Sequence, residues 1–209
     1  VELARAVVGY LPLNNKAASP LGAEATGSGA DLDTFIPDDD NQPYDVLDVV
    51  NAVTDGDFFE LSAGYAGSVV TGFAHVGGRA VGVVATQPSV LAGCLTRDAA
   101  RKAARFIRTC DAFNLPVVLG SKGLGADLVF AWPTAQIALA DAPTAAEAIG
   151  TDAEKYAEEN LNPYVATERG LVDAVIEPSA TRARVLEGLR LLERKVAYPA
   201  QKKHGNIPL

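Results

Sequence analysis

Few residues of this chain have the types and spacing that covalent or metal-assisted catalysis requires. The two histidines, His75 and His204, have no cysteine, histidine or carboxylate at metal-ligand spacing, so no metal site is expected. No Gly-x-Ser-x-Gly motif occurs, which disfavours a Ser-His-Asp hydrolase. The glycines of residues 119–125 have neither P-loop nor dinucleotide-loop spacing and are interpreted as a turn. Cys110 lies on the apolar face of a predicted helix and is interpreted as a core residue.

The loop over residues 87–95, called the 87–95 loop below, is the strongest candidate for chemistry. It follows a predicted buried strand and leads into a helix predicted to begin at Thr96. Ala92 and Gly93 are small enough to let a ligand approach the backbone, and the unpaired N–H groups of a helix start favour negative charge. Such a loop can stabilise an oxyanion without a nucleophile. Two alternatives stay open: Gly93 serves only a tight turn, or Cys94 is a nucleophile, although no base lies near it in sequence.

A βαβ unit is predicted to position this loop. Gly77 and Gly78 indicate a hairpin between strands at 68–74 and 80–86. A helix at 96–114 then leads to a strand at 117–119, and this order predicts an α/β fold. The apolar face of the helix is formed by Ala99, Ala103, Phe106, Ile107, Cys110 and Phe113. Its basic residues are predicted to lie mostly off that face: Arg97, Arg101, Lys102, Arg105 and Arg108.

Further elements are predicted on both sides of this unit. Residues 1–11 are typical of the end of a helix, and residues 16–40 of a solvated linker rich in Ala, Gly, Ser, Pro and Asp. Asp45 is predicted to cap a short helix. The other predictions are strands at 58–61, 128–131, 136–140 and 171–176, a weakly patterned helical region at 142–160 and a helix at 181–196.

Composition and charge exclude several classes of protein. The 209 residues carry 18 basic and 26 acidic side chains, a net charge of −8, which argues against nucleic-acid or membrane surfaces as partners. A local basic pocket could still bind an anion. No apolar run approaches the roughly 18 residues of a membrane helix, and no secretory signal is seen. Two cysteines fall short of a disulfide scaffold, so a cytoplasmic location is expected.

Short motifs from about residue 10 to residue 209 occur in the order of a known family. They include NQPYD at 41–45, TQP at 86–88, AGCL at 92–95, KAARFIRTCDAFN at 102–114, AWPTAQI at 131–137, NPYV at 162–165, ERG at 168–170, VDAVI at 172–176 and KKHGNIPL at 202–209. Together they resemble the carboxyltransferase β subunit of acyl-CoA carboxylases, and most closely the propionyl-CoA carboxylase type.

The resemblance implies an α/β fold of the crotonase-like (ClpP-type) β-β-α superhelix class. Residues 1–40 would be the end of a preceding helix and a linker, and residues 41–209 the C-terminal carboxyltransferase domain, which faces carboxybiotin. The family moves a carboxyl group from N1 of carboxybiotin to the α-carbon of an acyl-CoA of the propionyl or acetyl class. Backbone N–H pairs hold the biotin urea oxygen and the thioester enolate oxygen in that family.

The resemblance also implies a cofactor and partners. Biotin would be carried on a biotin carboxylase or biotin carboxyl carrier subunit, acyl-CoA would be the substrate, and no metal is expected in this subunit. The chain would assemble into a homo-oligomer, a hexameric ring by resemblance. Nucleic acid and membranes are not expected as partners.

The chain departs from the family pattern at two places. A family segment that includes the glycine loop with the biotin-side oxyanion donors is missing between Leu119 and Gly120, and a shorter one near 141–150. No catalytic residue is therefore assignable, and this fragment alone is expected to be inactive. The candidates that remain for the wall of the biotin-side pocket are Gln87, Pro88, Ala92, Gly93 and Cys94. Two alternatives stay open: a non-catalytic assembly subunit of such a complex, or a crotonase-fold hydratase or decarboxylase relative.

Overall fold

The computed structural model describes residues 1–23, 31–34, 42–119, 126–137 and 142–195. The chain forms two compact units, the first made of residues 1–119 and 182–209 and the second of residues 120–181. None of the helices among the described residues has the length and apolar character needed to cross a membrane. The KKHGNIPL motif and most of the predicted turn at 119–125 lie outside the described residues.

A four-stranded sheet forms the centre of the first unit, with the strand order β1-β2-β3-β4. The strands are β1 (Phe59–Leu61), β2 (Val69–Val76), β3 (Arg79–Thr86) and β4 (Val117–Val118). β2 and β3 form the predicted hairpin, and Gly77 and Gly78 take up the positive φ angles of 58° and 75° that its two-residue turn requires. β4 runs parallel to β3, so the helix between them makes the predicted βαβ crossover and the α/β prediction is confirmed.

Helices cover both faces of this sheet. Among the described residues, the α-helices are α1 (Glu2–Tyr10), α2 (Val46–Val53), α3 (Arg97–Ala112), α4 (Ala142–Ile149), α5 (Ala153–Asn160), α6 (Pro163–Glu168) and α7 (Thr181–Leu191), of which α4, α5 and α6 belong to the second unit. Successive residues of β2 point to opposite faces: Val69 and Phe73 pack with α1 and α3, whereas Val70 and Ala74 pack with α2 and α7. The sheet is therefore packed between two separate apolar layers.

The predicted helix at 96–114 is confirmed as α3, with one exception among its basic residues. Thr96 caps the helix by accepting from the N–H of Ala99, as its position before the apolar pattern indicates. Cys110 is fully buried, and burial raises the pKa of its thiol to about 12, which confirms the core interpretation. The four arginines of α3 are exposed, but Lys102 is only 6% exposed. Its placement off the apolar face was wrong.

The description of residues 16–40 as a solvated linker is wrong at several described positions. The buried Ser19 donates to the carbonyl of Ala80, and the Ala80 N–H donates to the carbonyl of Pro20 over 3.0 Å. Leu32 is 4% exposed and packs against Val53. The physical reason is that β4 pairs with only two residues of β3, which leaves a strand edge for the preceding segment to cover. The division of the chain between residues 40 and 41 stays a prediction.

The second unit contains a two-stranded parallel sheet of β5 (Phe130–Ala131) and β6 (Ala174–Val175). The weakly patterned region at 142–160 forms two helices, α4 and α5, which are separated at Gly150, where φ is 72°. Asp152 caps α5 and Asn162 caps α6. The predicted strand at 136–140 is wrong at Gln136 and Ile137, which are not in a strand, and its other residues lie outside the described part.

Candidate functional site

Gln87 fastens the start of the 87–95 loop where β3 ends. Its buried side chain accepts from the N–H of Val46 over 3.1 Å and donates to Asp45 Oδ1 over 2.7 Å. Asp45 also caps α2 by accepting from the N–H of Leu47. The backbone N–H of Gln87 donates to the carbonyl of Ser68 over 2.9 Å. Asp45 of the NQPYD motif and Gln87 of the TQP motif are therefore in contact. The Gln87 amide fixes the start of the loop, and both its oxygen and its NH2 group are already hydrogen-bonded.

A left-handed turn forms the tip of the 87–95 loop. Leu91, Ala92 and Gly93 have consecutive positive φ angles of 51°, 50° and 72°. The N–H of Gly93 donates to the carbonyl of Val90 and that of Cys94 to the carbonyl of Leu91, each over 3.0 Å. Two N–H groups of the predicted donor loop are thus used inside the turn. Ala92 and Cys94 are exposed, and Gly93 and the neighbouring Pro88 are half-buried.

The start of α3 lies directly after this turn, as predicted. The hydroxyl oxygen of Thr96 accepts a hydrogen bond from the N–H of Ala99 over 3.2 Å. One of the N–H groups expected to be free for a ligand is therefore used by the cap. Asp98 occupies the first turn, where a carboxylate interacts favourably with the helix dipole. The local field for an anionic ligand is therefore weaker than the sequence suggested.

A second loop, residues 62–68, lies beside the first and was not identified from the sequence. It joins β1 to β2, and a Cβ atom on Gly67 would lie 3.8 Å from Val90 Cγ1. Ser62 and Ala66 have positive φ angles of 58° and 48°. Four of the five non-glycine residues with positive φ in the described part of the chain therefore lie in these two adjacent loops. Backbone strain of this kind clusters at functional sites.

The two loops expose several large apolar side chains. Tyr65 is 48% exposed, Leu91 65% and Leu95 62%, and Val90 is also exposed. None of these residues belongs to a buried apolar cluster of the described chain, so packing of the core does not account for them. The loop pair thus offers apolar side chains and a backbone reachable through Ala92 and Gly93.

His75 lies at the opposite end of the β2–β3 hairpin and is not part of this site. Its Nδ1 lies 2.6 Å from Asp57 Oδ2, a partner that the sequence spacing did not reveal. Tyr10 of α1 donates to the Asp57 carbonyl over 2.8 Å, and burial, followed by the charge of Asp57, raises the pKa of Tyr10 to about 12. Within the described ranges, no group of three or more histidine, cysteine or acidic side chains could hold a metal ion.

The strain at Ala92 gives a testable consequence for stability. An alanine in the left-handed region costs about 1 kcal/mol relative to glycine, so Ala92→Gly is expected to keep or slightly raise the free energy of unfolding. The matched control is Ala100→Gly inside α3, which is expected to lose about 1 kcal/mol. Urea unfolding of both variants measures the difference. Equal losses in the two variants would show that Ala92 is not strained.

Comparison with known proteins places these observations in a family. The sequence model of the carboxyl transferase domain matches residues 1–119 and 117–207. A biotin-dependent acetyl-/propionyl-coenzyme A carboxylase beta5 subunit of Mycobacterium tuberculosis is 39% identical over 289 aligned residues, which cover 100% of this chain and 53% of the relative. A methylmalonyl-CoA decarboxylase subunit alpha of Veillonella parvula is 37% identical and covers 98% of this chain and 53% of the relative.

Solved structures give the same result for the fold. The crystal structure of transcarboxylase 12S, described as a hexamer assembly with hydrolysed methylmalonyl-coenzyme A bound, matches with a TM-score of 0.90 and 33% identity. The match covers 100% of this chain and 52% of that chain, so this chain spans about half the length of its relatives. The crotonase-like carboxyltransferase fold expected from the motifs is confirmed. The chain belongs to the carboxyl transferase domain family, among the relatives named as acyl-CoA carboxylase β subunits.

Proposed function

We propose that this chain is part of the carboxyltransferase component of a biotin-dependent acyl-CoA carboxylase. The component would move a carboxyl group from N1 of carboxybiotin to the α-carbon of an acyl-CoA of the propionyl or acetyl class. Family membership supports this, and so does the relative from Mycobacterium tuberculosis that carries that name. The observation that carries the proposal is the family match over nearly the whole chain, and the pair of strained, adjacent loops at one end of the β2–β3 hairpin is the place proposed for the site.

The 87–95 loop is proposed to line the biotin side of the pocket. Carboxybiotin supplies the transferable carboxyl group when it is bound. Ala92 and Gly93 would let its urea edge approach the backbone, while the exposed side chains of Val90 and Leu91 would contact its apolar bicycle. The N-terminus of α3 would favour an oxygen that carries partial negative charge only weakly, because the Thr96 cap and Asp98 already interact with it. Gln87 would fix the start of the loop through its hydrogen bonds to Asp45 and Val46 at the N-terminus of α2.

A second candidate is the same transfer in the opposite direction. The relative from Veillonella parvula is named as a methylmalonyl-CoA decarboxylase subunit, so the family includes members that remove the carboxyl group. The same loops would then receive the carboxyl group on biotin. A non-catalytic assembly role remains the third possibility, because the family segment expected after Leu119 is not in this sequence and the two family matches meet at residues 117–119.

The partners of the chain follow from the proposed reaction. A biotin carboxylase or biotin carboxyl carrier subunit would present the biotin. The chain would assemble with further copies, by analogy with the hexamer assembly of transcarboxylase 12S. A cytoplasmic location is part of the same proposal. The two loops described above belong to this chain, and the rest of the site is proposed to come from the segments of the complex that this chain does not contain.

Two loop substitutions separate backbone chemistry from nucleophilic catalysis. In the complex purified through a tag on this chain, we expect Cys94→Ser to lower biotin-dependent transfer from methylmalonyl-CoA by less than about tenfold, because removing a true nucleophile costs about 10⁴-fold or more. Gly93→Val is expected to lower it by more than about tenfold, since valine is strained at a φ of 72° and would crowd Thr86.

The matched control is Gly150→Val, which has the same φ of 72° with open space around it in the second unit. It should leave transfer within about twofold of the unmodified complex. A loss of about 10⁴-fold with Cys94→Ser would assign the nucleophile to Cys94 and overturn the backbone mechanism. Equal losses from the two valine variants would remove the 87–95 loop from the site.

A further inference from the structure

Lys102 is a buried cation whose partner is a backbone carbonyl. Its side chain is 6% exposed, and Nζ donates to the carbonyl of Val69 over 2.7 Å. Among the described residues, Nζ forms no ion pair with a carboxylate, and Glu60 acts on it only through its charge. Burial lowers the pKa of Lys102, and the charge of Glu60 opposes that shift. A methionine would fill this space without the desolvation cost of a charge, so packing alone does not explain a lysine at this position.

The carbonyl that Lys102 holds lies at the junction of the two strained loops. Val69 is the first residue of β2, and its own N–H donates to the carbonyl of Ala66 over 3.1 Å. The preceding carbonyl, of Ser68, accepts from the N–H of Gln87 over 2.9 Å. Lys102 therefore joins α3, which follows the 87–95 loop, to the strand that follows the 62–68 loop.

We propose that Lys102 is a positioning residue that holds the two loops in their strained arrangement through the Val69 carbonyl. This proposal rests on the proposed function in one respect, namely that these two loops form the carboxyl-transfer site. Lys102 would not contact the substrates, because the residue is only 6% exposed and its Nζ is engaged by the Val69 carbonyl. Its loss would change the geometry of the 87–95 loop while the apolar cluster of Phe73, Phe106 and Cys110 stays intact.

The two cysteines supply a reporter for this loop. Cys94 is exposed on the 87–95 loop, and Cys110 is fully buried in the core near the C-terminal end of α3. Alkylation with iodoacetamide, followed by peptide mass spectrometry, measures each thiol separately in the purified complex. A change at Cys94 alone reports the loop, whereas a change at both thiols reports unfolding of the core.

We expect Lys102→Met to change the alkylation rate of Cys94 by at least about fivefold and to leave Cys110 protected. Lys102→Arg keeps a charged donor and is expected to restore the rate to within about twofold. Arg105→Met, an exposed basic residue of the same helix, is the matched control and should change neither thiol. If Lys102→Met does not fold, Lys102→Gln, whose donor is shorter, serves in its place with the same expectation.

Two results would overturn the positioning role. One is an unchanged Cys94 rate in both Lys102→Met and Lys102→Gln. The other is parallel exposure of Cys94 and Cys110, which would make Lys102 a structural residue of the core only. In the transfer assay, loss of positioning is expected to raise KM for free biotin more than it lowers kcat. A complex with no transfer activity would refute the proposed function, yet the thiol measurement would still decide the role of Lys102.

Discussion

Replacing Arg182 with methionine is expected to lower the free energy of unfolding by about 3 kcal/mol or more. Arg182 of α7 donates to Asp55 Oδ1 over 2.6 Å and to the carbonyl of Val53 over 2.7 Å. Asp55 is 4% exposed and also accepts from the N–H groups of Gly77 and Gly78 in the hairpin turn. Removing the guanidinium leaves a buried carboxylate without its counter-charge, so α7, α2 and the hairpin lose their common anchor. Thermal and urea unfolding of the full chain measure the change.

The matched control is Arg184→Met on the same helix. Arg184 pairs with Glu187 over 2.8 Å, but both side chains are at least half exposed. An exposed pair contributes about 0–1 kcal/mol, so this variant is expected to unfold close to the unmodified chain. Similar losses from both arginine variants would show that α7 is sensitive to any change of charge and would remove the special role of Asp55.

The same ion pair gives the direction of the pH dependence. Burial alone would raise the pKa of Asp55, but the hydrogen bonds from Arg182, Gly78 and Gly77 and the charge of Arg182 hold it below its usual value. Because the pKa is lower in the folded than in the unfolded chain, the stabilisation is complete above the usual aspartate pKa of about 4 and is lost as the pH falls below it. Arg182→Met should therefore lose less stability than the unmodified chain between about pH 5 and pH 3.

Gly72→Ala is expected to have the second large effect, a loss of about 2–3 kcal/mol. Gly72 lies in β2 opposite Glu60 of β1, and an added methyl group would collide with the Phe59 carbonyl and the Phe58 ring. The carbonyl belongs to the backbone of a paired strand and cannot rotate away, so β1 must move. Urea unfolding measures the loss, and β1 should lose hydrogen-exchange protection first.

The control for this substitution is Gly64→Ala in the loop between the same two strands. A Cβ atom there meets nothing within 4 Å, and its φ is not in the left-handed region. This variant should unfold within about 0.5 kcal/mol of the unmodified chain. A Gly72→Ala variant as stable as Gly64→Ala would mean that β1 does not pair with β2 as described.

Local signals were sufficient to predict the elements around the site. The adjacent glycines at 77 and 78 indicate the β2–β3 hairpin because only a turn with two positive φ angles needs them. Thr96 before a regular apolar pattern indicates the start of α3. The parallel pairing of β4 with β3 follows from the strand–helix–strand order. The motifs then indicated the family, which the comparisons confirmed.

The features that the sequence did not reveal depend on contacts between distant residues. Lys102 looks like a surface residue because helix periodicity does not show that a carbonyl of β2 lies within its reach. Ser19 and Leu32 lie in a segment of linker-like composition, yet both are buried in the fold. Ser19 lies where this segment pairs with the open edge of β3, and Leu32 packs against the side of α2. His75 and Asp57 are 18 residues apart and meet only because β2 places them together.

The sequence predicted the 87–95 loop but not the left-handed conformations in it, nor the 62–68 loop beside it. Gly93 indicated a turn in the 87–95 loop, but Leu91 and Ala92 carry no sequence signal for a left-handed conformation. In the 62–68 loop, Ser62 and Ala66 also carry no sequence signal for a left-handed conformation, although Gly64 and Gly67 indicate a turn. The hydrogen bonds around the loops, from the N–H groups of Gln87 and Val69 and from Lys102, form only in the folded chain and leave no local signal in the sequence.

The most direct test of the proposed carboxyl transfer is the conversion of methylmalonyl-CoA to propionyl-CoA by the complex that contains this chain, with and without free biotin. In this direction the bond between the α-carbon and the carboxyl carbon breaks, the carboxyl group bonds to biotin N1, and the N1 proton passes to the α-carbon. We expect propionyl-CoA to form at a rate that rises with the biotin concentration and falls when Gly93 is replaced by valine. A rate independent of biotin, or no conversion by a folded and assembled complex, would contradict the account.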